Sequence, residues 1–201
     1  MMGTVTEMRA GMLLLATPAL LDPNFAETVV LLLDVDDDGV LGVVLNRPTG
    51  LTVGEVLRPW ADLVAEPPVL FEGGPVEVDG ALAVALRRGA DSNEGDDGDE
   101  GDDGAAVGFR VLVDRLALLD LDTPVELVSA ALDELRIFAG YAGWASKQLQ
   151  DEIEEGSWYV TSGTADDVFR VDTTSLWRDV MRRQPGDLAM HSTRPVDPGL
   201  N

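Results

Sequence analysis

The sequence predicts an α+β fold: one domain spanning residues 1–201, built on a mixed, mainly antiparallel β-sheet flanked by helices. Three observations carry the prediction. Short apolar runs rich in β-branched residues recur along the chain. Two of the earliest flank an aspartate-glycine turn, which reads as a hairpin. Helical periodicity comes later, without the strict strand-helix alternation of a parallel sheet.

Met12–Ala16 reads as a short buried strand. Its surroundings, GMLLLATPALL, have the look of a secretory apolar segment, but Glu7 weakens the preceding charge and Pro18 interrupts the run. Thr28–Asp34 and Val40–Leu45 read as two more strands. Between them DVDDDG copies the opening of a calcium loop with Asp34, Asp36, Asp38 and Gly39. A calcium loop needs a glutamate six residues after its glycine, and Leu45 stands there, so a solvated hairpin is expected. Thr52 and Glu55 have capping-box spacing and start a short helix towards Trp60. Strands follow at Val69–Glu72, Ala81–Leu86 and Phe109–Val113. PVELVSAALDEL is helical in pattern, with Pro124 at a first-turn position. Arg136–Tyr141 reads as a strand that ends in a glycine turn. Ala145, Leu149 and Ile153 recur at helical spacing, and Gly156 closes that helix. Trp158–Thr161 is a strand and Leu176–Arg183 a last helix.

Composition narrows the function. The chain has 45% hydrophobic residues, enough for a sizeable core. Its net charge is −23. Eight acids and no bases lie between Asp91 and Asp103, so residues 89–106 are expected to form a disordered acidic loop, and the tail after 188 to be mobile. Elsewhere 14 bases face 29 acids, a field that repels duplex DNA. The only basic helix carries Arg178, Arg182 and Arg183, diluted by Asp179. There is no cysteine, which removes disulfides and thiolate chemistry. One histidine, His191, lies near the C-terminus, which counts against a catalytic triad or a multi-histidine metal site. No apolar run approaches the ~20 residues of a membrane span.

Common nucleotide-binding and hydrolase motifs are missing. Three strand ends share a pattern instead: Asn46-Arg47-Pro48, Glu72-Gly73-Gly74-Pro75 and Gly140-Tyr141-Ala142-Gly143-Trp144. Ligands of open sheets tend to bind outside the carboxyl ends of strands. If these ends lie side by side, Arg47 offers a fork for a carboxylate or phosphate, Tyr141 and Trp144 an apolar wall, and the glycines bare backbone. The bland alternative is that Arg47 pairs with an acid such as Glu72, that Trp144 is core, and that the glycines let strands approach.

These stretches, with GMLLLATPALLDPNF, GVLGVVLNRP, FEGGPV and GYAGWASKQLQDEI…SWYV in that order, resemble the AlgH/YqgE family over about residues 11–188. The resemblance implies a compact α+β fold, a cytoplasmic protein, and a regulatory or interaction role of the kind for which members are labelled transcriptional regulators. It supplies no catalytic residue and no cofactor. Its motif positions here include Asn46, Arg47, Gly73, Gly74, Tyr141, Trp144 and Gln148, the seven candidate ligand-binding residues. The chain departs from the usual pattern where Ala145 and Lys147 replace glycines, and in its acidic insert. The expected partner is a protein, or alternatively a small anionic ligand held by the three turns; nucleic acid and membrane are not expected.

The acidic stretch offers nothing to bury. Deleting residues 91–103 should therefore leave the fold intact, with a melting temperature, read by circular dichroism, that falls by less than about 5 °C.

Overall fold

The structure is a computed structural model, in which residues 8–89, 107–145 and 147–184 are described. Nearly all of the expected acidic loop and the whole tail after 188 lie outside those residues.

The first strand, β1 (Met12–Ala16), is flanked by β2 (Val29–Val35) and by the last strand, β10 (Trp158–Ser162). β2 turns into β3 (Gly39–Val44) through the expected hairpin. Asp36 Oδ1 accepts from the amides of Asp38 and Gly39 at 2.8 and 2.9 Å, so the aspartates make a turn. A short β4 (Pro48–Thr52) leads into α1 (Val53–Val56), where Glu55 Oε2 accepts from both the amide and hydroxyl of Thr52. These bonds hold the Glu55 carboxyl below its ordinary pKa. β5 (Val69–Glu72), β6 (Val76–Arg87), β7 (Phe109–Val113) and β8 (Leu116–Leu119) follow.

The helix expected from Pro124 is brief. α2 (Val125–Val128) runs into a single 3₁₀ turn, and from Leu132 the chain extends. The sequence Leu132–Leu135 pairs with β6, and in that register Leu132 and Leu135 are buried. The resulting β9 (Leu132–Ala145) is the longest strand. It does not end at Tyr141, as the sequence suggested, but carries the whole GYAGW stretch. α3 (Gln148–Glu154) begins only after it, so Ala145 is an exposed strand residue and only Leu149 and Ile153 of the expected stripe pack inward. α4 (Ala165–Phe169) and α5 (Leu176–Arg182) are the last elements among the described residues.

β9 organises everything. On one side it pairs antiparallel with β6 from Leu132 to Tyr141. On the other it pairs parallel with β5 at Phe138 and Ala139, then antiparallel with β3 from Ala142 to Ala145. The strand order is β10-β1-β2-β3-β9-β6-β8-β7, with β4 beside β5. The sheet curls: Arg110 of β7 reaches Asp34 at the end of β2 at 2.9 Å.

Each face is covered. Leu13, Leu15, Leu31, Leu33, Phe71 and Phe138 fill the inside of the curl, plugged by Val168, Phe169, Leu176, Trp177, Val180 and Met181 of α4 and α5. The alternate residues Leu14, Val30 and Leu32 pack outward under α3 with Trp144 and Trp158. Burial on both faces explains why β1 and β2 read as unbroken apolar runs.

Arg136 of β9 lies inside the curl, 2% exposed. Among the described residues no carboxylate forms an ion pair with it. Nη1 donates to Val168 O at 2.6 Å, and Nη2 to Glu66 O and Arg170 O at 2.8 and 3.1 Å. The guanidinium carbon stands 4.4 Å from the Phe71 ring centroid. Burial lowers its pKa to about 10, so it stays charged at neutral pH. One side chain thus ties β9 to the end of α4 and to the segment before β5. Arg136→Leu should cost about 1–3 kcal/mol in urea unfolding, because buried carbonyls lose their donor. Arg136→Lys should recover only part of that, since an ammonium lacks the planar fork that reaches several acceptors at once.

Candidate functional site

The three signature turns do converge, through main chain. Gly73 N donates to Ala139 O and Gly73 O accepts from Val44 N, at 2.8 and 2.9 Å, while Glu72 N donates to Arg47 O at 2.8 Å. The ends of β3 and β5 are thereby stitched to the middle of β9. At that crossing Gly140 has φ +68°, and a Cβ there would lie 2.6 Å from Gly74 O and 2.8 Å from Val76 O. A Cβ on Gly73 would strike the Gly140 carbonyl, and one on Gly74 the Tyr141 backbone. Here the glycines bring backbone against backbone.

The side chains of the turns are engaged as well. Asn46 extends the β2–β3 ladder with its amide: Oδ1 accepts from Val29 N at 3.0 Å and Nδ2 donates to Glu27 O at 2.9 Å. Arg47 Nη2 donates to Pro23 O at 2.7 Å, and Nη1 stands 3.9 Å from Glu72, whose side chain is 52% exposed. This is a loose surface pair.

Trp144 and Gln148 meet around Glu152, a residue to which the sequence drew no attention. Glu152 Oε2 accepts from the indole Nε1 of Trp144 and of Trp158, at 3.0 and 2.8 Å. Oε1 accepts from Gln148 Nε2 at 2.9 Å, and Gln148 Oε1 accepts from Ala145 N at 3.1 Å. Phe25 stacks on Trp144 with centroids 5.9 Å apart and meets Trp158 edge-on at 5.5 Å. Both tryptophans are buried. One carboxylate therefore latches β9, α3 and β10 together. The available signal was the spacing of Trp144, Gln148 and Glu152, each four residues from the last.

Tyr141 and Trp144 line an open groove of about 480 Å³ with Asp34, Asp36, Gly39, Leu41 and Val76. Tyr141 also borders a smaller hollow of about 170 Å³ with Glu77 and Gly80. Asn46, Arg47, Gly73, Gly74 and Gln148 are not on the groove's walls, so the structure does not gather the seven candidates round one cavity. The ionisable side chains lining the groove, apart from Tyr141, are the acids Asp34 and Asp36. Among the described residues, no group of three His, Cys, Asp or Glu is placed to share a metal ion. No helix there is long and apolar enough to cross a membrane.

A family model described as AlgH-like matches residues 13–189. The chain belongs to the AlgH-like family. A UPF0301 protein of Streptomyces coelicolor is 53% identical over 191 residues, covering 95% of this chain and 94% of that one. One from Mycobacterium tuberculosis is 44% identical over 194 residues, covering 96% and 91%. A crystal structure of a Corynebacterium diphtheriae protein superposes with a TM-score of 0.83 at 30% identity, over 94% of this chain and 93% of that chain. The solution structure of AlgH from Pseudomonas aeruginosa has the same fold, with a TM-score of 0.62 at 24% identity, over 93% and 94%. The α+β reading and the family resemblance therefore both hold.

Within this AlgH-like chain the latch and the arginine differ in what they hold. Glu152→Ala strands two buried indole donors, and should destabilise by about 2–4 kcal/mol with an altered tryptophan emission spectrum. Arg47→Ala removes one exposed-side bond and should cost about 1 kcal/mol or less in the same unfolding assay.

Proposed function

We propose that this chain is a cytoplasmic regulatory or interaction protein that works through a protein partner, without direct contact to DNA. The observation that carries the reading is that three polar side chains of its signature motifs, those of Asn46, Trp144 and Gln148, are spent on the chain itself. Asn46 completes a strand ladder, and Trp144 and Gln148 bind Glu152. Such motifs build a shape to be recognised more than a reaction centre. The basic helix gives no DNA-binding stripe: Arg182 pairs with Asp179 at 3.2 Å and Arg183 with Asp167 at 2.8 Å. A net charge of −23 opposes the phosphate backbone.

The anionic-ligand alternative has less support. Arg47, its receptor, lies outside the groove that Tyr141 and Trp144 line; of the two acids lining that groove Asp34 is paired with Arg110, and Asp36 repels an anion.

Two measurements test the proposal together. Fluorescence anisotropy with a labelled duplex at about 0.15 M salt should show no binding. Cross-linking in the living host, followed by quantitative mass spectrometry, should recover a protein at near-stoichiometric yield. Specific duplex binding that survives competitor DNA, or cross-linking that yields no partner, overturns it.

A further inference from the structure

Among the described residues, three strands have a lateral edge that no other strand covers: β4, β7 and β10. Exposed edges invite pairing, and proteins blunt them with prolines, charges and bulges. β4 opens on Pro48, and its register against β5 is broken. β7 carries Arg110 and is bulged between Val111 and Val113. β10 has none of these defences. It reads Trp-Tyr-Val-Thr-Ser, and its register against β1 is unbroken from Met12↔Ser162 to Ala16↔Trp158.

The direction of its free groups follows from one bond. Thr17 N donates to Ser157 O at 3.0 Å, and this pair continues the β1–β10 register. In an antiparallel ladder hydrogen-bonded pairs alternate with unbonded ones. Tyr159 and Thr161 therefore turn their amides and carbonyls towards β1. Those of Trp158, Val160 and Ser162 turn outward, and no partner for them occurs among the described residues.

The charge around the edge selects the occupant. Glu154 and Glu155 are exposed at one end of β10 and Asp166 at the other. A second copy laid antiparallel would bring the Glu154–Glu155 end towards its own Asp166, between molecules of net charge −23. A basic segment gains from the same field.

We infer that β10 is a docking edge for an extended segment of a partner protein: an uncharged β-branched core flanked by lysines or arginines, paired with the outward groups of Trp158, Val160 and Ser162. Main-chain bonds supply the pairing and the flanking bases the choice of partner. This rests on the interaction reading above and names its partner class.

The probe is a synthetic peptide of alternating valine and threonine with two lysines at each end, and a control with glutamates in their place. Titration followed by amide hydrogen exchange should show the basic peptide binding at least tenfold tighter than the control. Protection should be confined to Trp158, Val160 and Ser162. Val160→Pro removes an outward amide and no bond to β1, so the protein should fold and lose at least tenfold in affinity. Ser162→Lys changes an exposed side chain only, and should also weaken binding of the basic peptide. Unaltered binding by both variants, or protection elsewhere, overturns the inference. So does a dimer, seen by sedimentation, that Val160→Pro dissociates, because the occupant is then a second copy. If wild type and Val160→Pro cross-link the same partner in the host, the β10 assignment fails and the interaction reading stands. If neither cross-links any partner, both fail.

Discussion

The fold turns on a close crossing of backbones at Gly140. There β9 exchanges one neighbour for another, parallel β5 on one side of the crossing and antiparallel β3 on the other. β6, still paired on the opposite edge, bulges by several residues at the same level, between Val76 and Ala81. Three strand ends cannot meet within van der Waals distance if side chains stand between them. Gly73, Gly74 and Gly140 remove those side chains, and the positive φ of Gly140 sets the bend. A long strand that bends without breaking lets one sheet curl round a core, and the core in turn gives Arg136 a place where three carbonyls and the Phe71 ring meet it.

Much of this was legible because burial on both faces writes itself plainly. The runs at β1, β2 and β3, the Asp36 turn and the Thr52–Glu55 cap all follow from residue type at short range. The elements that escaped depend on distant partners. β4 begins with a proline and is short and exposed, so nothing local marks it as a strand. Leu132–Leu135 has helical spacing, and only its register with β6 decides otherwise. GYAGW looks like a turn because glycines usually are; here Gly140 marks where another backbone passes. Family resemblance identified the fold, but the role of Glu152 lay hidden among neighbouring acids, since its value comes from Trp158 arriving from another strand.

The same geometry bears on function. Motif residues that look chemical in a sequence, an arginine, an amide and two indoles, have internal partners here. Their work is to hold turns, a ladder and a latch in place. What remains open to a partner is surface: an acid-lined groove beside Tyr141 and the free edge of β10. An acidic body with few bases selects against nucleic acid and speeds encounter with basic proteins.

One pairing also sets a schedule. β1 lies between β2 and β10, and Trp177 of α5 donates its indole N–H to Ala16 O across 161 residues of chain. During synthesis β1 and β2 leave the ribosome early, yet one side of β1 has no neighbour until β10 is made. At ordinary translation speeds that interval is roughly ten seconds or more. For that time the apolar strand Leu13–Ala16 has one open flank, and that flank closes only when β10 arrives.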